Sequence, residues 1–125
     1  MARQIETGEK LPAEWVAAGD FEKALAGYRK LKETNPNADA ISEDELNAYG
    51  YQLTRKGKLK EALKIFRINT NLYPQAFDTY DSLGEAYLLM GETELGIKNY
   101  KKSLELNPKN TNATEALKKA AKSGK

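Results

Sequence analysis

The sequence predicts an all-α fold, a solenoid of about three helix-turn-helix repeats closed by a C-terminal capping helix. Two observations carry this. Sliding the chain against itself sets Gly84 on Gly50, Tyr100 on Phe66, Gly91 on Gly57 and Pro108 on Pro74, each 34 residues apart. A fixed period of that length marks repeated units that bury their apolar faces only by stacking on one another. Within each unit the apolar residues recur at spacings of three and four, and no convincing strand alternation competes with them.

Pro12 suits the first turn of an opening helix that carries Trp15 and Val16 inward and stops at Gly19. Gly8 and Pro12 shorten this helix, so the first repeat, residues 5–38, is degenerate in its first half. Its second half is regular: Asp20 caps, and Phe21, Leu25, Tyr28 and Leu31 form a stripe with Ala24 at the close-packing position. Residues 39–42 are an insertion, since Ala24 to Ala62 spans 38 positions and Ala62 to Gly96 spans 34. Ser42 with Glu45 reads as a capping box, and Ile41 with Leu46 as a hydrophobic staple. The second repeat, 43–76, places Leu46, Tyr49, Gly50 and Leu53 on one helix, then Leu59, Ala62, Leu63 and Phe66 on the next. Asn69 stands where a small apolar residue is expected and must find a hydrogen-bond partner. The third repeat, 77–110, is the most complete. In 111–125, Ala113, Ala116, Leu117 and Ala120 make a narrow stripe under a lysine-rich face, the pattern of a capping helix. Seven helices are expected in all.

Gly57 and Gly91 follow helix ends, where a left-handed residue closes the last turn. Gly50 and Gly84 lie inside helices, at a cost of about 1 kcal/mol relative to alanine, which implies close passage of a partner helix. Gly96 occupies the position of Ala24 and Ala62, so a methyl group is expected to fit there and Gly96→Ala to stabilise.

Composition bounds the chemistry. The chain has 125 residues, 40% hydrophobic and 30% charged, enough for one domain over 1–125. It contains neither cysteine nor histidine, which removes disulfides, the usual zinc sites, thiol nucleophiles and imidazole proton shuttles. No cofactor and no catalytic residue is expected. Carboxylate pairs such as Asp78 with Asp81 or Asp81 with Glu85 share a helical face, but with no second ligand set they read as solvated charges and no metal is expected. Nothing in the sequence has the apolar length of a membrane span or the form of an export signal, so no membrane partner and a cytoplasmic location are expected. Asn112-Ala113-Thr114 matches a glycosylation acceptor pattern that no export signal supports. The net charge of +2 resides largely in the tail. Lys118, Lys119, Lys122 and Lys125 suit a helix C-terminus and lack interleaved aromatics, so no nucleic-acid partner is expected.

Tyr80, Leu83, Gly84, Tyr87, Gly96, Tyr100, Ser103 and Pro108 sit at the eight marker positions of the tetratricopeptide repeat (TPR), which this unit resembles. Gly96 and Ser103 depart from its usual alanines. The resemblance implies a right-handed solenoid and a non-catalytic scaffold whose first helices line a concave groove for peptides. By position the groove takes Asp44, Asn47, Tyr51, Thr54 and Arg55 from repeat two, and Asp78, Asp81, Ser82, Glu85 and Leu88 from repeat three. Its acidity implies basic protein or peptide partners. The lysine-asparagine clamp of chaperone adaptors is replaced by Glu9, Ala13, Ala48, Asp78 and Ser82, so chaperone C-termini are not expected ligands. Glu45–Pro108 also resembles the C-terminal helical tails of bacterial serine hydrolases of the penicillin-binding and β-lactamase type. None of Ser42, Ser82, Ser103 and Ser123 has a lysine three positions on, so that resemblance implies ancestry without activity. The alternatives are a structural accessory or self-association module from a larger enzyme, and an engineered repeat without a natural ligand. A monomer is expected, with a homodimer through repeat one as the other outcome.

Overall fold

A computed structural model describes residues 20–38 and 41–123, which form six α-helices and no strand. They are α1 (Phe21–Thr34), α2 (Glu43–Arg55), α3 (Leu59–Leu72), α4 (Phe77–Leu89), α5 (Thr93–Leu106) and α6 (Thr111–Ser123). The opening helix expected around Trp15 and Val16 lies outside the described residues. Consecutive helices pack as pairs, α2 on α3 and α4 on α5, with α3 on α4 joining the pairs and α6 laid against α5.

Local signals start and stop these helices. Asp20 accepts a hydrogen bond from the Lys23 N–H at 3.2 Å and opens α1. Ser42 Oγ accepts from the Glu45 N–H at 3.1 Å and opens α2, which is the serine half of the capping box. Gly57 and Gly91 carry φ of 79° and 80° and turn the chain from α2 into α3 and from α4 into α5. The Lys58 and Glu92 N–H groups then reach back to the Leu53 and Tyr87 carbonyls at 2.9 Å, satisfying acceptors at each helix end.

One core runs through the described pairs, with Ile41, Leu46, Leu53, Ala62, Ile65, Phe66, Ile68, Leu72, Leu83 and Ala86 buried in a single cluster. Asn69 is fully buried beneath it. Its Nδ2 donates to the Glu43 carbonyl at 3.0 Å, tying α3 to the first turn of α2, while its Oδ1 has no partner.

Both helix crossings seat a glycine of the first helix against an aromatic ring of the second. In the second pair, a Cβ on Gly50 would lie 2.3 Å from the Phe66 ring, so glycine makes room for an aromatic face. In the third pair a Cβ on Gly84 would lie 2.8 Å from the Tyr100 ring, the counterpart of Phe66, and the backbones come close as well. A Cβ on Gly84 would lie 3.1 Å from the Gly96 carbonyl oxygen, and one on Gly96 would lie 3.1 Å from that of Gly84. A methyl on Gly96 would also stand 2.6 Å from Leu88 Cδ2 and 2.8 Å from Leu88 Cγ. The expectation of a free methyl-sized space at Gly96 is therefore overturned. Leu88 is the 34-residue counterpart of Thr54, and Gly96 of Ala62. By position, the third pair carries a leucine over a glycine where the second carries a threonine and an alanine, so in the third pair the larger side chain stands on α4 and the smaller residue on α5.

Candidate functional site

Residues 34 or 35 positions apart meet where α2 lies beside α4. The Tyr51 hydroxyl donates to Glu85 Oε1 at 2.7 Å. The Ser82 hydroxyl donates to Asn47 Oδ1. Near the N-termini of these helices, one oxygen each from Glu43, Asp44 and Asp78 lie within 4.8 Å of one another. The repeat period brings each residue of α2 against its counterpart on α4, so these contacts form a ladder along the seam.

The ten residues expected to line a groove divide into several environments. Asp44, Arg55 and Glu85 are exposed, Asn47, Tyr51, Asp78 and Asp81 are half-buried, and Ser82 is buried. The Thr54 hydroxyl is turned back onto the Gly50 carbonyl at 2.9 Å. Leu88 is half-buried with its branch over Gly96. Arg55 follows Tyr51 by one turn at the end of α2. It lines a cavity of about 480 Å³ with Tyr28, Leu46, Tyr49 and Gln52 on the α1 side. The seam thus brings together Asp44 with Asp78, Asn47 with Ser82 and Tyr51 with Glu85, and leaves Arg55 and Leu88 apart from them.

Electrostatics follow from crowding like charges along two helices. None of Asp44, Asp78, Asp81 and Glu85 forms an ion pair with another described residue. Burial, then the hydrogen bond and charge of Asp78 and the charge of Asp44, push Glu43 up to about 7. Ionised, both carboxylates only accept hydrogen bonds, and Glu43 Oε2 is buried with no donor. The Tyr51 ring stands edge-on to Phe66 with centroids 5.1 Å apart. Burial raises its hydroxyl; Ser82 pulls the other way, and the hydrogen bond and charge of Glu85 complete a rise to about 12. Tyr51 therefore remains a donor across the neutral range.

Asp81 acts beyond the seam. Asn110 Nδ2 donates to Asp81 Oδ1 and Oδ2 at 3.0 and 2.8 Å and to the buried Ser103 Oγ at 2.8 Å. Asn110 Oδ1 accepts from the Ala113 N–H at 3.4 Å, at the start of α6. One side chain thus ties α4, α5 and the capping helix together. Glu43 and Asn110 were not among the residues singled out for the site. Glu43 had a sequence signal, since it stands 35 positions before Asp78, the spacing that also joins Asn47 to Ser82. Asn110 had only the ordinary mark of a helix cap.

Among the described residues, no helix is long and apolar enough to cross a membrane. Residues 77–110 match the profile of the tetratricopeptide repeat. Over 100 residues the chain is 31% identical to the CTR9 homolog protein of Arabidopsis thaliana, a match covering 79% of this chain and 9% of that protein. Over 122 residues it is 27% identical to the TPR repeat-containing protein YpiA of Bacillus subtilis strain 168, covering 97% of this chain and 28% of that one. The chain therefore spans less than a third of either relative. Among solved structures, the first TPR of Spaghetti (RPAP3), bound to an HSP90 peptide, superposes with a TM-score of 0.63 at 22% identity, covering 90% of this chain and 86% of that one. Residues 77–110 are a tetratricopeptide repeat, set in an all-α chain with the helical-repeat fold of TPR domains.

Proposed function

We propose that this chain is a non-catalytic scaffold that binds basic protein segments along the α2–α4 seam. The carrying observation is the set of acidic residues Asp44, Asp78, Asp81 and Glu85 beside one another with no cation from the described residues pairing them. An extended segment bearing lysine or arginine supplies the missing charge, and Tyr51 and Asn47 offer polar contacts between the carboxylates. Complementarity of this kind acts mainly through encounter rate and rejection of wrong partners. The similar RPAP3 domain holds an HSP90 peptide. At the described clamp positions this chain carries Ala48, Asp78 and Ser82, so an acidic C-terminus would meet Asp78 in place of a cation. The resemblance of Glu45–Pro108 to hydrolase tails adds a lineage to this reading and no catalytic group.

Fluorescence anisotropy with a labelled lysine-rich peptide and its glutamate-rich counterpart tests the proposal. The lysine-rich peptide should bind more tightly and weaken as salt is added. The triple variant Asp44→Asn, Asp78→Asn, Glu85→Gln should lose most of that preference. It leaves Asp81 in place because Asp81 also holds Asn110. Equal affinity for the two peptides, or an unchanged preference in the variant, would overturn the reading.

A further inference from the structure

Charge is divided between the first and the second helices of the repeats. The first helices α2 and α4 carry six acids against one base, and the second helices α1, α3 and α5 carry ten bases against five acids. The second helices keep the register found along the seam. Arg67 and Lys101 are 34 residues apart, as are Lys64 and Lys98, and Arg29 precedes Arg67 by 38, the period plus the insertion. On each of α3 and α5 the two cations stand three positions apart on one helix face. The register thus sets five cations in a band across the second helices. Arg29, Arg67, Lys98 and Lys101 are exposed, Lys64 is half-buried, and none is ion-paired with a described residue. Two contacts seat the band where α1 meets α3. Arg67 lies over the Phe21 ring, 4.2 Å from its centroid, and the Arg29 guanidinium donates to Asn71 Oδ1 at 3.3 Å. Glutamates bound the band in the same register. Glu22 and Glu94 stand toward the helix N-termini with Lys60 between them, and Glu33 and Glu105 toward the C-termini with Asn71 between them.

We infer that the partner of this band is a second copy of the chain, the cations of one copy seating on the α2–α4 seam of the next; this rests on reading the seam as a site for basic segments. Each face lacks the charge that the other holds, since Asp44, Asp78, Asp81 and Glu85 have no cation from the described residues. Both faces also follow one repeat. The acids recur from Asp44 to Asp78 and the cations from Arg67 to Lys101 at the same 34 residues, so a second copy presents carboxylates at the interval of the band. An unrelated acidic segment or a nucleic acid has no cause to keep that interval, and the bounding glutamates repel a polyanion that extends beyond the band. The contact joins different faces, so it propagates from copy to copy and does not close as a two-fold dimer does. It departs from the monomer expected of the sequence and from a dimer through repeat one.

Sedimentation velocity on the full chain tests this. In low salt the mean mass should rise with concentration, and high salt should return it to the monomer. Two variants separate the faces: the seam variant Asp44→Asn, Asp78→Asn, Glu85→Gln and the band variant Lys98→Glu, Lys101→Glu. Each should self-associate at least about tenfold more weakly than wild type. Mixed in equal amounts, they should form a one-to-one dimer and nothing larger, because only one intact seam and one intact band remain to meet. That dimer also shows that both variants are folded. A saturating lysine-rich peptide should disperse the wild-type assemblies by occupying the seam. A wild type that stays monomeric in low salt, or a mixture that forms no dimer, overturns the inference. So does single-stranded RNA or a glutamate-rich peptide that binds through Lys98 and Lys101 to a chain that stays monomeric. Binding of the lysine-rich peptide by such a monomer would leave the seam reading standing, and failure to bind it would end both.

Discussion

Gly96→Ala should destabilise the domain, although alanine is the better helix former. The opposing terms are of similar size. Replacing a helical glycine contributes about 1 kcal/mol through helix propensity and a narrower unfolded ensemble. Against this, the new methyl would stand 2.6 and 2.8 Å from Leu88 Cδ2 and Cγ, roughly 1 Å inside an ordinary carbon contact of about 3.5 to 4.0 Å. Leu88 Cδ2 can swing aside, but Cγ moves only with the whole side chain. The Gly84 oxygen, 3.1 Å away, is held by its own helix. Relief therefore requires α4 and α5 to separate, and overpacking of this kind costs typically 1 to 3 kcal/mol. A net loss of about 1 kcal/mol is expected by urea melt. The double variant Leu88→Thr, Gly96→Ala rebuilds the Thr54–Ala62 arrangement of the second pair. It should show a favourable coupling of at least about 1 kcal/mol relative to the two single changes, well above the roughly 0.5 kcal/mol within which independent sites add. Stabilisation by Gly96→Ala alone, or coupling below that limit, would refute the packing of Leu88 over Gly96.

The Glu43–Asp78 contact predicts a pH dependence. Glu43 has a folded pKa of about 7, against 4.5 ordinarily, so the stability it contributes is complete below the unfolded value and is lost as pH rises through about 7. Compared at about pH 5 and about pH 8, Glu43→Gln should lack that part of the decline, which after solvent screening is about 1 kcal/mol. Identical pH profiles would refute the raised pKa of Glu43. Asn110→Ala should cost about 2 kcal/mol, the sum of a lost cap and a buried hydrogen bond. Hydrogen exchange should rise first in α6, and exchange unchanged there would show that Asn110 does not hold the capping helix. Gly57→Ala meets no neighbour, so its expected loss of about 1 kcal/mol is wholly backbone strain at positive φ. A neutral melt would show that the turn relaxes freely.

Much of this protein was legible in its residues because the repeat is local. The 34-residue period, Asp20 and Ser42 as caps, and Gly57 and Gly91 at positive φ each depend on a few neighbouring positions and on backbone preferences that do not change from one protein to another. The period also contained the seam, since residues 34 or 35 apart meet on successive first helices; that register joins Tyr51 to Glu85 and Glu43 to Asp78. The closeness of the helices was not legible, because the pattern of apolar positions is the same whatever gap the glycine and the aromatic ring facing it leave between the backbones. Only the assembled helices decided that Leu88 leans over Gly96 while Thr54 turns back to its own helix. The same holds for Asn110, whose three partners lie on different helices, and for Glu43, whose pKa depends on how deeply two neighbouring carboxylates are drawn together out of water. The sequence alone determined which residues pair in register. Tertiary packing decided how closely they meet, and with it which glycines are obligatory and which carboxyl groups keep a proton.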